Sequence, residues 1–415
     1  MSQVKLSICI PTYNRARFLE KALTYFVELY QFPFTYEIII SDNASTDDTR
    51  EVVDGFAAKG LPIRYFRQAE NRGPYPNIVS AFGRASGEYT IYLADDDVLI
   101  NEGVRDAIRY LDLNPEVTVC YAPWYSHDEV DGRDGVPFYT VDKDTRFKRR
   151  EFEPVFDFLI ERHVFPEIGI YRTAALRSAW VPRSFAYWAF AYLAHFLEQG
   201  AITFLKTPFY RQVIRSKITR DRPQEGHAEV LTSWDSYRGG LEYFAYSGAK
   251  RGALRLTPDR RLYLDAQIRD FTMVRMSVAL RMWVAKRDYI RAYELYSRLM
   301  LGGFEHNPDV QQARRVLPLM VCLQTVMWRT NAMAGVDRLV LHGVDDHGAI
   351  EELLRELGLR SEITVLPATA PLAPEEVAST AVFVTADSDR KQYLRKGHLP
   401  NLVISEGDIL NHVLI

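Results

Sequence analysis

Through its first 115 residues the chain alternates short apolar runs with stretches of helical periodicity, and that alternation confines it to a parallel sheet wrapped by helices. Strands are predicted at 5–10, 35–42, 62–68 and 88–94, and helices at 16–29, 48–59 and 76–85. Polar clusters close the strands: PTYNR at 11–15, DNASTDDT at 42–49, and the consecutive carboxylates Asp95, Asp96 and Asp97 behind the fourth. Ligands of open α/β sheets bind beyond the carboxyl ends of the strands, so these clusters are expected to face one pocket.

Three adjacent carboxylates repel one another unless a divalent ion or an array of donors neutralises them. Oxygen-only ligation suits Mg²⁺ or Mn²⁺, and a solvated acidic turn is the plain alternative. The other pocket residues suit a nucleoside diphosphate. Asp42 can accept hydrogen bonds from a base or ribose, Tyr13 offers a face for stacking, Arg15 closes the first cluster, and Arg72 is a phosphate partner. Each also has an ordinary reading: turn and cap chemistry for Asp42 to Asp48, loop packing for Tyr13, and a pair with Glu70 for Arg72.

Taken together, SICIPTYNR at 7–15, EIIISDNASTDDT at 37–49 and ENRGPYPNIVSAFGRASGEYTIYLADDD at 70–97 resemble the nucleotide-sugar-dependent glycosyltransferases of family 2, with the GT-A fold. The resemblance implies that Pro11, Tyr13, Arg15, Asp42 and Arg72 line the nucleoside and diphosphate site. It also implies that Asp95 and Asp97 form the metal-binding DXD element, with Asp96 near ribose or phosphate and itself a catalytic candidate, and that transfer inverts the anomeric carbon with a carboxylate base. The chain departs from the family in two places. The Glu-Asp pair usual at the start of an acceptor-side helix is replaced by Trp188 and Ala189, and Val213 stands where a metal-binding histidine is usual. Glu167 is the first choice for the base, followed by Asp128 and Glu129, then His127 and His195. An acceptor that spares the base, or loss of catalysis, would equally account for the missing pair. Of the aromatic residues at 185–196, Tyr187 and Trp188 are the acceptor-binding candidates, and the basic run 215–227 is a candidate lid.

With 415 residues the chain is long enough for two or three domains. The expected division is a GT-A domain over 1–225, a helical domain over 226–334 and a small Rossmann-like α/β domain over 335–415. Its turn at 342–348 has only Gly343 and Gly348, a weak dinucleotide fingerprint, so a structural or partner-binding role is expected there. A net charge of −3 gives no global attraction to nucleic acid. Three scattered cysteines argue against a disulfide framework, and no run is long and apolar enough to span a membrane. A cytoplasmic protein is expected, with peripheral membrane or homo-oligomer contact left open. Its expected partners are a nucleoside-diphosphate sugar of the UDP, dTDP or GDP type and a saccharide, lipid-linked or protein acceptor, with Mn²⁺ or Mg²⁺ as cofactor. A silent nucleotide-sugar-binding scaffold and a metal-dependent nucleotidyltransferase are the rival functions.

Overall fold

The structure, a computed structural model, describes residues 4–179, 186–219 and 230–410. It divides into two compact units, one holding the described parts of 1–224 together with 235–271, the other those of 225–234 together with 272–415. The helical stretch expected over 226–334 is therefore shared between the two.

The first unit opens β1 (Leu6–Thr12), α1 (Ala16–Glu28), β2 (Tyr36–Asp42), α2 (Thr49–Ala58), β3 (Ile63–Arg67), α3 (Pro74–Arg84) and β4 (Tyr89–Tyr92). It continues with β5 (Val98–Leu99), α4 (Asn101–Leu113), β6 (Val117–Tyr121), β7 (Tyr125–Asp128), β8 (Arg133–Pro137), β9 (Thr145–Phe147), α5 (Phe152–Glu161) and β10 (Gly169–Arg172). Then come α6 (Thr173–Arg177), α7 (Trp188–Gln199), β11 (Ala201–Phe204) and β12 (Tyr210–Arg215), with further helices at Trp234–Lys250 and, in its first part, Pro258–Ala285. The expected α/β class with a parallel-rich sheet is what forms. Eight strands lie in the order β3-β2-β1-β4-β10-β6-β11-β9, with β1 parallel to both β2 and β4. Leu6, Ile8, Ile10, Ile38, Ile39, Ile40 and Ile91 are fully buried, as a sheet covered on both faces requires.

Beyond Asp97 the chain makes a second sheet, β5-β12-β7-β8. Its place is set by a close backbone approach: the Ile100 N–H donates to the Phe209 carbonyl at 2.9 Å. Gly103, in the first turn of α4, lies under the same segment, where a Cβ would fall 2.8 Å from Phe209 Cα and collide with the Pro208 carbonyl. A side chain there cannot be absorbed by rotamer change, because the obstacle is main chain.

In the second unit β13 (Arg338–His342), β14 (Thr364–Pro367), β15 (Thr380–Val384) and β16 (Val403–Ser405) form an all-parallel sheet ordered β14-β13-β15-β16. Leu339, Leu341, Ala381, Phe383 and Ile404 on one face share a core with Leu317, Val321 and Val326 of the helix Pro308–Ala332. Val340, Val382, Val384 and Val403 on the other pack with Tyr393 of the helix Asp387–Arg395. No helix among the described residues is long and apolar enough to cross a membrane.

Gly103→Ala is expected to lower the stability of the first unit by about 2 kcal/mol or more, since overpacking against backbone has no cheap relief. Thermal denaturation of the full chain would check it, and an unchanged melting curve would show that Phe209 does not press on α4 as closely as this.

Candidate functional site

The carboxyl ends of β1, β2 and β4 meet where β1 lies between its two parallel neighbours, and the predicted pocket residues gather there. Thr12, the last residue of β1, donates its hydroxyl to Asp95 Oδ2 at 2.7 Å. Arg15, in the turn that follows, brings Nε to 2.9 Å from Asp95 Oδ1 and hydrogen-bonds Asp96 Oδ2 through its terminal nitrogen. Asp97 is held from the opposite side. Tyr210 of β12 donates its hydroxyl to Asp97 Oδ2 at 2.8 Å, and the Val213 backbone N–H donates to Oδ1 at 2.8 Å. Asp95, Asp96 and Asp97 are only 5%, 7% and 7% exposed, so these are compensated buried charges and not a solvated acidic turn. Burial works against the Arg15 charge, but Asp95 and Asp96 outweigh it and hold the guanidinium above its ordinary range.

The loops after β1 and β2 lock together. Asn14, at a positive φ of 51°, donates its N–H to the Ser45 hydroxyl at 2.9 Å, and its side-chain oxygen accepts from the Thr46 N–H at 2.7 Å. Asp47 accepts the Ala16 N–H at the start of α1, so the DNASTDDT run does serve as turn and cap chemistry. Asp42, almost wholly buried, accepts from the Ser45 N–H at 2.8 Å and the Tyr65 hydroxyl at 2.5 Å. Asn43 ties in the next loop, accepting from the Arg72 N–H at 3.0 Å and donating to the Gly73 carbonyl at 3.0 Å. The Arg72 side chain is exposed and pairs with Glu70 at 3.2 Å. Tyr13 is 41% exposed at the rim, beside half-buried Pro11.

The acceptor-side candidates separate. Tyr187 is buried against Phe165, Phe190 and Tyr237, inside the aromatic core. Trp188, its neighbour, is half-buried, and its N–H donates at 3.1 Å to the hydroxyl of Tyr75 in the first turn of α3. Phe185 and residues 220–227 of the basic run lie outside the described residues.

The candidates for the base separate as well. Glu129 is buried between Lys21 and the Ser216 hydroxyl, and Asp128 pairs with Arg215 at 2.6 Å while accepting two backbone N–H groups of its own turn. Both act as ties between β7 and β12. His127 is bound to Asp134 at 2.6 Å, and the His195 ring contacts the Ala175 carbonyl at 2.8 Å with burial holding its pKa below the ordinary value. Glu167 is half-buried, just ahead of β10, which pairs antiparallel with β4. Its carboxylate is felt by the Tyr92 phenol together with those of Asp97, Asp96 and Asp95, all raising the Tyr92 pKa after burial has done so.

The nearness of Tyr92 to these carboxylates is something sequence reasoning misses, because it stands in the chain as one more apolar strand position. The position of Val213 has a similar lesson. Its strand does reach Asp97, but by a main-chain donor in place of an imidazole. The donor set is hard oxygen, the kind Mg²⁺ or Mn²⁺ takes, but among the described residues no group of three or more His, Cys, Asp or Glu is arranged to hold a metal ion, and the buried Arg15 Nε has no hydrogen-bond acceptor despite its closeness to Asp95.

Residues 7–180 match the family model described as Glycosyl transferase family 2. Among curated proteins the chain is similar to an abequosyltransferase of Salmonella typhimurium, 37% identical over 116 residues, which is 28% of this chain and 35% of that protein. It is also similar to a Campylobacter jejuni GalNAc(5)-diNAcBac-PP-undecaprenol beta-1,3-glucosyltransferase, 40% identical over 98 residues, 23% of this chain and 31% of that one. The match thus spans about a third of the length of these relatives. Among solved structures, S. aureus TarS 1–349 in complex with UDP aligns with 76% of this chain and 86% of its own at 18% identity and a TM-score of 0.47.

Tyr210→Phe would leave Asp97 Oδ2 and the Ala94 N–H, which donates to the same hydroxyl at 3.1 Å, without that partner. A loss of about 1–3 kcal/mol in stability is expected from urea unfolding, and a neutral substitution would show that this clasp does not hold the two sheets in register.

Proposed function

We propose, from the match of residues 7–180 to the model of glycosyl transferase family 2, that the chain transfers a sugar from a nucleoside-diphosphate donor to an acceptor hydroxyl in the synthesis of a surface polysaccharide, lipopolysaccharide or related glycan. The observation that carries the reading is the convergence of Thr12, Arg15, Asp42 and the three aspartates at the ends of β1, β2 and β4. The donor's nucleoside lies against Pro11, Tyr13 and Asp42, and its diphosphate against Arg15 and Arg72. A divalent ion, when bound, would be held by Asp95 and Asp97 and would supply Lewis-acid compensation for charge on the departing diphosphate.

The acceptor oxygen attacks the anomeric carbon from the face opposite the diphosphate. The new carbon–oxygen bond forms as the bond to the diphosphate breaks, and the configuration inverts. Glu167 takes the acceptor proton. What supports Glu167 is its shared neighbourhood with the trio around the Tyr92 phenol and the engagement of Asp128 and Glu129 in fixed ion pairs. Burial, and then the nearby carboxylates, hold the Tyr92 phenol well above its ordinary range, so it stays protonated. Trp188 borders the acceptor, whereas the packing of Tyr187 supports a role in shaping the wall.

Thermal shift with UDP, GDP, dTDP and their sugars, with and without Mn²⁺ or Mg²⁺, tests the donor half. One base is expected to raise the melting temperature, a ligand at 100 times its Kd adding about 2.7 kcal/mol. Stabilisation by none of them would sink the proposal. With the donor identified, Glu167→Gln is expected to cut kcat about 100-fold or more while leaving nucleotide affinity unchanged. A kcat within a factor of about two of the parent would remove Glu167 from the mechanism.

A further inference from the structure

The segment that joins the two sheets of the first unit carries aromatic rings to the side of the cleft where Glu167 lies. β7 begins at Tyr125, which is in register with Arg211 of β12, the residue after the Tyr210 that holds Asp97. Just ahead of β7, the Ala122 N–H donates to the Ile168 carbonyl at 3.3 Å, which sets the segment 122–124 beside Glu167. Trp124 thus stands between the acidic rim and the candidate base. Phe138 lies flat on its indole, ring centres 4.6 Å apart and planes 12° apart, and the Phe138 N–H donates to the Trp124 carbonyl at 2.9 Å. Phe165, two residues ahead of Glu167, meets Phe138 edge-on at 5.8 Å, and Tyr139 meets the indole edge-on at 5.7 Å. Burial, and then the Glu167 carboxylate, hold the Tyr139 phenol well above its ordinary range.

Trp124, Tyr139 and Phe165 are no more than 5% exposed, whereas Phe138 is 38% exposed. The indole covers one face of the Phe138 ring, so its exposed surface is the other face and the edge. Backed by one ring and braced by another, that face is a rigid platform with a carboxylate beside it. Such a surface matches a pyranose, which has an apolar C–H face and a rim of hydroxyls. An alkyl chain would set the Glu167 carboxylate against hydrocarbon, at a desolvation cost. The Tyr139 hydroxyl, buried with no hydrogen-bond partner, adds a polar demand to the same wall.

Resting on the donor-transfer reading above, we propose that Phe138, backed by Trp124, is the platform on which a pyranose ring of the acceptor stacks, presenting one ring hydroxyl to Glu167, so that the acceptor is a saccharide and not a polypeptide or an open-chain polyol. The oxygen of that hydroxyl bonds to the anomeric carbon of the donor as its proton passes to Glu167 and the nucleoside diphosphate departs. Phe138 then sets the class of acceptor, and the rim formed by Asp95, Asp96 and Asp97 has no part in that choice.

Saturation-transfer difference NMR on the full chain, with UDP, GDP or dTDP present, tests this with the methyl pyranosides of glucose, galactose, mannose and N-acetylglucosamine, and with sorbitol and a serine-containing peptide as ring-free probes. At least one pyranoside is expected to bind the parent, with saturation strongest on the C–H protons of one ring face. Its Kd should rise about tenfold or more in Phe138→Ala and stay within about threefold in Phe138→Tyr, which keeps the flat face. Phe138→Leu, which keeps apolar bulk without the face, should bind as weakly as Phe138→Ala. No pyranoside binding by the parent, equal binding by Phe138→Ala, or binding of sorbitol or the peptide in place of the pyranosides overturns the proposal. If a nucleoside diphosphate still stabilises the parent in that case, the donor-transfer reading stands without it. Pyranoside binding that depends on Phe138 while no nucleoside diphosphate stabilises the parent would instead count against the donor-transfer reading. Should Phe138→Ala fail to fold, the contrast between Phe138→Tyr and Phe138→Leu carries the same test, and equal Kd values for those two overturn the proposal.

Discussion

The clasp on Asp97 is the constraint on which the rest of the site depends. A buried carboxylate is tolerable only if its oxygens find donors, and here both donors come from β12, more than a hundred residues further along the chain. Hydrogen bonds to a charged group contribute roughly 1.5–3 kcal/mol each. Those two bonds therefore do more than satisfy Asp97: they fix the second sheet against the rim of the first. Tyr210 extends the same tie to the main chain of the acidic loop by accepting from the Ala94 N–H. The chain turns a liability, three like charges in a row, into the joint that sets the geometry of the cleft.

Two members of the trio share one support and the third has its own. Asp95 takes Thr12 and Arg15, Asp96 takes Arg15, and Asp97 takes β12. One guanidinium thus serves Asp95 and Asp96, while Asp97 relies on neutral donors of β12. Arg15 carries this support from the opposite side of the pocket, and it is the only one of the named supports with a long flexible side chain. The hydroxyl of Thr12, the phenol of Tyr210 and the N–H of Val213 are fixed by the sheets they belong to. Rigidity at one end of the trio and freedom at the other suit a site that must admit and release a charged group.

How much of this is legible in the sequence follows from what each element needs. β1, β2 and β4 are readable because strands covered on both faces are apolar without interruption, and Gly, Pro and Asx residues mark their ends. The second sheet is not, since β5 has two residues and β8, Arg133–Pro137, is largely exposed, which leaves no periodicity to detect. The contact from Val213 cannot be found at all from side chains, because a main-chain N–H is the same in any residue but proline. The substitution of valine for the expected histidine is visible, yet the strand's approach to Asp97 is not. Tyr187 and Trp188 show a different limit: both are aromatic and adjacent, and only the packing of Gly240, Phe190 and Tyr237 decides which one turns inward. Tyr92 is hidden for the reason that makes β4 easy, its place in an apolar run.

The second unit shows the same strand-end logic with the opposite outcome. Its order β14-β13-β15-β16 makes β13 the point where the connections reverse, and a ligand crevice is expected beyond the ends of β13 and β15. Side chains fill that place. Gly343, at a φ of 77°, gives way to Thr385, whose hydroxyl would collide with any Cβ there. His342, the last residue of β13, is bound through Nδ1 to the Tyr393 hydroxyl at 2.9 Å and lies 3.3 Å from Asp389 through Nε2. Asp346 caps the helix His347–Glu356 by accepting the Ala349 N–H at 3.0 Å, using the position where a dinucleotide site keeps a glycine near its phosphates. In the second unit the strand-end positions are thus taken up by contacts within the chain itself.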